Sequence, residues 1–186
     1  MDEITLKQLK ESNYHHPEIT EVIHDNNIMI TISIEAIQRC EIGINTVWDS
    51  QLCNWGSKYF GEALNLARQM WKEKTLKFRL ITEIDEGNIE FLSSLDFEEI
   101  RHLDGLRGNF GIYDEHAYMA FILHKEGDEP LQTFFGNTKN LVKKQQELFD
   151  DLWKIARPFS IRKKEIEYEK ELDTSRKITE TEYIQR

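Results

Sequence analysis

The chain has 186 residues, 39% of them hydrophobic and 31% charged, with a net charge of −10. That length suits one domain with a real core, and ten Phe, six Tyr and four Trp supply apolar area that a disordered chain lacks. The acidic balance argues against direct nucleic-acid binding, which needs a field of Lys and Arg, and no apolar run approaches the about 20 residues of a membrane helix.

Met1-Asp2-Glu3 begins the chain without a basic region or an apolar stretch, so no signal peptide is expected and the cytoplasm is the expected compartment. Residues 1–25 form a polar N-terminal segment, with Pro17 between two short apolar clusters. His15, His16 and His24 lie there without convergent further ligands, so exposed histidines are expected rather than a metal site. Ile28, Ile30, Ile32 and Ile34 alternate as in a strand, while Ile30, Ile34 and Ile37 fit one helical face. Cys40 and Cys53 are the only cysteines and match no metal motif or disulfide framework; inert thiols are expected.

Residues 42–49 are short and β-branched, a strand, and 50–57 read as a polar loop containing Gly56. An amphipathic helix is predicted over 59–74, then a strand over 76–82. A short helix follows Gly87, with Ile89, Phe91, Leu92 and Leu95 as its apolar positions. Strands are predicted at 99–103, 109–113 and 117–123, with turns at Asp104-Gly105 and Asp114-Glu115. A polar loop at 125–130 precedes a last strand at 131–135. Asn137 or Thr138 is placed to cap a long helix carrying Leu141, Gln145, Leu148, Phe149, Leu152, Ile155 and Ala156, which Pro158 ends or kinks. The Phe149/Trp153 stripe is expected to dock that helix on the sheet or to form a dimer seam. Residues 161–186 alternate charges and read as a solvated helix or linker. Together these elements predict an α/β domain with a mixed sheet flanked by helices and a long C-terminal helix.

Two sets of phrases carry a resemblance. Phe78-Arg79-Leu80-Ile81-Thr82-Glu83-Ile84 is followed by Arg101-His102-Leu103-Asp104-Gly105-Leu106-Arg107-Gly108-Asn109-Phe110. Phe135-Gly136-Asn137-Thr138 is followed by Gln145, Leu148-Phe149, Leu152-Trp153 and Ala156-Arg157-Pro158. In this order they resemble the input region of archaeal, notably thaumarchaeal, sensory histidine kinases, over roughly residues 18–169. The resemblance implies a phospholipase-D-like half-domain over 26–158, a charged helical linker over 159–186, and a helix at 28–41. It also implies a cytoplasmic signal-input domain that works as a homodimer, senses a small ligand or a partner protein, and relays through its C-terminal helix.

Phospholipase D enzymes use His-x-Lys with an Asp after four further residues. The His acts as nucleophile or acid, the Lys holds phosphate oxygens, and two copies face each other. The matching register here is Arg107-x-Asn109 with Asp114. Arg107 stays protonated and Asn109 is neutral, so neither supplies that chemistry. No catalytic residue, cofactor, metal, membrane contact or direct nucleic-acid contact is therefore expected, and the chain reads as not an enzyme. A degenerate site can still bind. Trp48, Asp49, His102, Asp104, Arg107 and Asn109 sit at strand ends or in the adjoining turn, where open α/β sheets hold ligands. Each also has a purely structural reading. Trp48 would then be core, Asp49 a cap, His102 a hydrogen-bonded strand residue and Asp104-Gly105 a turn, with Arg107 paired to Asp104 or Glu99 and Asn109 serving a turn. The alternatives to signal input are the effector domain of an archaeal transcription regulator and a residual phosphodiesterase.

Overall fold

The computed structural model describes residues 18–73, 76–95, 97, 99–122 and 132–184. His15, His16, Pro17 and the expected loop at 125–130 lie outside the described residues. Within the N-terminal segment, Thr20–Ile23 forms a strand (β1). The alternating isoleucines that follow form a helix, Asn26–Gln38 (α1), and not a strand. Asp25 decides this locally, because its carboxylate accepts the N–H groups of Asn27 (2.8 Å) and Ile28 (3.2 Å) and so caps the first turn. Met29, Ile32, Ser33, Ala36 and Ile37 then bury one face at helical spacing.

Strand β2, Gly43–Trp48, ends at Asp49. The expected loop at 50–57 is instead a helix, Ser50–Tyr59 (α2), started by Asp49 accepting Leu52 N–H at 2.8 Å and held by buried Leu52, Cys53 and Gly56. Helix α3 (Gly61–Lys72), strand β3 (Lys77–Thr82), helix α4 (Ile89–Ser94) and strand β4 (Ile100–His102) follow. The chain continues with β5 (Asn109–Tyr113), β6 (Ala117–Ile122) and β7 (Gln132–Gly136). The long helix α5 (Lys139–Ile155) comes next. Thr138 takes its cap position but makes no capping bond, while Asn137 Oδ1 accepts Ile19 N–H at 2.6 Å and ties the chain to β1. A two-residue strand β8 (Arg157–Pro158) breaks the helical path, and α6 runs from Phe159 to Ile184.

The eight strands make one mixed sheet in the order β1-β7-β6-β5-β2-β3-β4-β8. Strands β2, β3 and β4 are parallel and every other pairing is antiparallel. Because side chains alternate across a sheet, two cores result. Ile44, Trp48, Phe78, Leu80, Tyr113, Met119 and Phe121 join the core built with α1 to α4 and Ile166 of α6. Val47, Ile81, Phe110, Ile112 and Tyr118 pack in a second core with Val142 and Phe149 of α5. Phe149 is fully buried within the chain, and the Arg79 guanidinium sits 4.9 Å from its ring centre and 5.4 Å from that of Trp153. The Phe149/Trp153 stripe therefore docks α5 on the sheet. Leu148 and Ile155, expected on the same stripe, are exposed.

Asp114 turns the β5–β6 corner in the left-handed region, with φ of 47°. Its carboxylate accepts the N–H groups of Glu41 (2.6 Å), Ile42 (3.1 Å) and Gly43 (2.5 Å), which fixes the entry into β2. Gly43 has to be glycine, since a Cβ there would lie 2.7 Å from the Lys77 carbonyl oxygen. Asp114→Ala is expected to lower the unfolding free energy by about 2 kcal/mol in a urea titration. Asp114→Asn should cost clearly less, because the amide oxygen still accepts and Asn tolerates the left-handed region.

Candidate functional site

At one edge of the sheet, register sets Trp48 beside Thr82 and Thr82 beside His102, at the C-terminal ends of β2, β3 and β4. Asn109 begins β5 at the same end, one residue from the Val47–Phe110 pair, and Arg157 of β8 pairs with His102. Asp114 closes the far end of β5, away from this edge, so the Asp of the Arg107-x-Asn109 register serves the opposite turn.

The expected residues divide by role. Trp48 is buried, its ring stacked 6.0 Å from Phe60, and belongs to the core. Asp49 caps α2 and also binds Asn109 twice: its N–H donates to Asn109 Oδ1 at 2.7 Å, and its Oδ2 accepts Asn109 Nδ2 at 2.8 Å. That pair locks β2 to β5 at the rim. Glu83 accepts the N–H groups of Gly105 (2.7 Å) and Leu106 (3.2 Å), holding a turn in which Gly105 has φ of 74°. Arg107 is exposed just beyond this turn and, among the described residues, has no hydrogen-bonding or ionic partner. The expected pairing with Asp104 fails because Asp104 is taken by Arg157.

His102 is 2% exposed. Its Nδ1 accepts Ile84 N–H at 2.8 Å, so the neutral ring carries its proton on Nε2. Nε2 lies 2.9 Å from Asp104 Oδ1 but off the axis of a good hydrogen bond, so the contact is chiefly electrostatic. Asp104 Oδ2 accepts Arg157 Nη2 at 3.0 Å, and Arg157 Nη1 donates to Glu165 at 2.9 and 3.0 Å. Glu165 accepts Arg162 Nη1 at 3.1 Å, and Arg162 Nε donates to the Ile84 carbonyl at 3.2 Å. The path closes on Ile84, the residue whose N–H meets His102. This polar ring joins β4, the loop after β3 and the first turns of α6.

Thr82, Glu83, Arg157, Arg162 and Glu165 were not among the residues expected at this site. Three of the quoted phrases nonetheless meet here: Thr82-Glu83-Ile84, His102 to Gly105, and Ala156-Arg157-Pro158. Arg162 and Glu165 carried no such signal, being two charges in a chain with 24 basic and 34 acidic residues. Thr82 Oγ1 is buried without a hydrogen bond among the described residues, close behind His102. Burial pushes the Cys53 thiol up to about 12, with Asp85 and Asp49 adding to the rise. Cys40 is raised as well, again mainly by burial, so both thiols stay protonated near neutral pH.

No protein-family model matches the sequence, and no curated protein is significantly similar to it. Solved structures do match in shape. NucT from Helicobacter pylori superposes with a TM-score of 0.60 at 8% identity, over 76% of this chain and 99% of that one. Nuc from Salmonella typhimurium, a phospholipase D family member, gives 0.56 at 12% identity, over 76% and 98%. The fold is phospholipase D-like. TrmBL2, an archaeal chromatin protein described as binding DNA by a novel mode, gives 0.51 at 13% identity, over 83% of this chain and 58% of that one.

These matches correct two expectations. The chain was expected not to be an enzyme, and Nuc overturns that, because a member of an enzyme family is built on this fold. Net charge was taken to exclude nucleic acid, yet TrmBL2 is described as binding DNA, so the fold itself is compatible with that partner. None of the three is described as a sensor. Among the described residues no helix is long and apolar enough to cross a membrane.

Burial holds the His102 pKa below the ordinary 6.5; the Asp104 carboxylate opposes this, and Arg157 and Arg162 reinforce it. The unfolded chain therefore binds a proton that the native ring refuses, and stability present above about pH 6.5 is lost as pH falls toward the lowered native value. Urea titrations across this range should show wild type losing stability faster than His102→Gln. Equal slopes would mean that His102 does not titrate in this way.

Proposed function

We propose that the chain is the input domain of a signalling protein, in which a small anionic ligand at the strand-end rim alters the seating of α6. The observation that carries this reading is the polar ring from His102 through Asp104, Arg157, Glu165 and Arg162 to Ile84, because it ties the rim to the start of the C-terminal helix. Arg107 supplies the exposed guanidinium for an anion, in bidentate fashion. The Asp49–Asn109 pair forms the stiff wall beside it, and Asp104 and His102 pass the change on, with Trp48 packed behind. A ligand bound to Arg107 that shifts the 104–107 turn competes with the Asp104–Arg157 contact, and that competition gives it different affinities for the two helix positions. A cytoplasmic homodimer that senses a ligand or a partner protein belongs to the same proposal.

A second reading is phosphodiester chemistry, favoured by the fold shared with Nuc. Its test is turnover of bis(p-nitrophenyl) phosphate by the purified chain that is lost in His102→Gln and Arg107→Ala. A third, the effector domain of a transcription regulator, is favoured by the match to TrmBL2 and predicts DNA retention in a gel-shift assay.

For the input reading, Asp104→Asn should speed amide hydrogen exchange over residues 159–170 by about tenfold while β2 and β3 keep their protection. Inorganic phosphate should bind wild type by calorimetry and not Arg107→Ala. Unchanged exchange in α6, or no phosphate binding, would sink the proposal.

A further inference from the structure

The first core is not filled evenly. Helix α3 buries Ala63 and Ala67, one turn apart, and α1 buries Ser33, where larger apolar side chains would close the space. On β5, Gly111 lets the Tyr113 ring lie back along the sheet, since a Cβ at 111 would stand 3.2 Å from the ring's Cε2 and hydroxyl oxygen. What results is a cavity of about 40 Å³ between α1, α3 and strands β2, β3, β5 and β6. Every residue lining it is buried, and five carry aromatic rings: Trp48, Phe60, Phe78, Tyr113 and Phe121.

The lining decides what such a cavity can hold. A water needs about 10–15 Å³ of this kind of space and about two to four polar partners. There is room for about three waters, but their partners are few. The Ser33 hydroxyl already donates to the Met29 carbonyl at 2.9 Å, and the Thr46 hydroxyl to the Phe110 carbonyl at 2.9 Å. Burial raises the Tyr113 phenol pKa, so it stays protonated, and none of the described lining residues is charged. An uncharged guest gains dispersion contacts with the rings and leaves no hydrogen bond unmade. We propose that this cavity is a binding site for a small, uncharged, largely apolar molecule of about three heavy atoms. This goes beyond the anionic ligand at the rim and does not rest on it. The guest seats within the core, and of the rim residues only Trp48 also lines the cavity.

Methyl NMR of the full chain tests it, with xenon and 1-propanol as probes. Dissolved xenon should shift the Ile37, Ile44 and Leu64 methyl resonances in a saturable way, while Val47, Ile81 and Val142 of the second core hold still. 1-Propanol should shift the same methyls, with an affinity no tighter than about millimolar for so small a molecule. Propionate, similar in size but charged, should not. Ala63→Val and Ala67→Val each fill part of the cavity and should weaken both responses at least about tenfold. Arg107→Ala should leave both unchanged, so loss of phosphate binding at the rim and loss of xenon binding in the core are separate results. No saturable shift in wild type, equal shifts in both cores, binding of propionate as well, or responses that survive both valine variants would overturn the proposal.

Discussion

The buried imidazole of His102 is the point on which this end of the molecule depends. It takes the N–H of Ile84 into a dry environment, and no solvent stands ready to replace it there. Leaving a buried donor unsatisfied costs about 1–3 kcal/mol, more than any one exposed ion pair of the ring contributes. The charged members, Asp104, Arg157, Glu165 and Arg162, are partly solvated and individually weak. Their effect lies in direction. They fix where Asp104 stands relative to the ring nitrogen, and where the first turns of α6 lie relative to the sheet.

The same geometry explains why the histidine stays neutral. Protonation at Nδ1 would force the Ile84 N–H to face another donor, and the neighbouring guanidinium groups of Arg157 and Arg162 add repulsion. The single carboxylate in contact, that of Asp104, is mostly exposed and shared with Arg157, so it does not reverse the balance. A neutral, well-oriented imidazole at a strand end is a fixed structural element under ordinary conditions and becomes a disturbed one only in acid.

Legibility in the sequence followed the range of the forces involved. Strand β3 was readable from its alternation of apolar and basic residues, and β2, β5 and β6 as short β-branched or apolar runs bounded by turn residues, as strands buried on both faces are. Isoleucines at every second position from Ile28 to Ile34 obscured α1, and the Asp25 cap resolves the ambiguity. Helix α2 was missed because Ser50, Gln51, Asn54, Ser57 and Lys58 mask the three residues that bury it, while β1 exists chiefly through its pairing with β7. His102, Asp104, Asn109 and Asp49 were legible as polar residues at strand ends, and the Asp49 cap was weighed in advance. Arg157 and Arg162 were not, because their partners lie 53 and 78 residues away in sequence and only the folded sheet brings them together.

The two-residue strand β8 has a consequence for how the molecule behaves in a crowd. It occupies the outer side of β4, where bare backbone groups would otherwise invite a strand from another molecule. Pro158 has no N–H to offer beyond it, and the chain turns at once into helix, so the sheet cannot be extended from that side. The kink that starts α6 is therefore also a guard against edge-to-edge aggregation. A change that straightened it would endanger solubility before it touched any site.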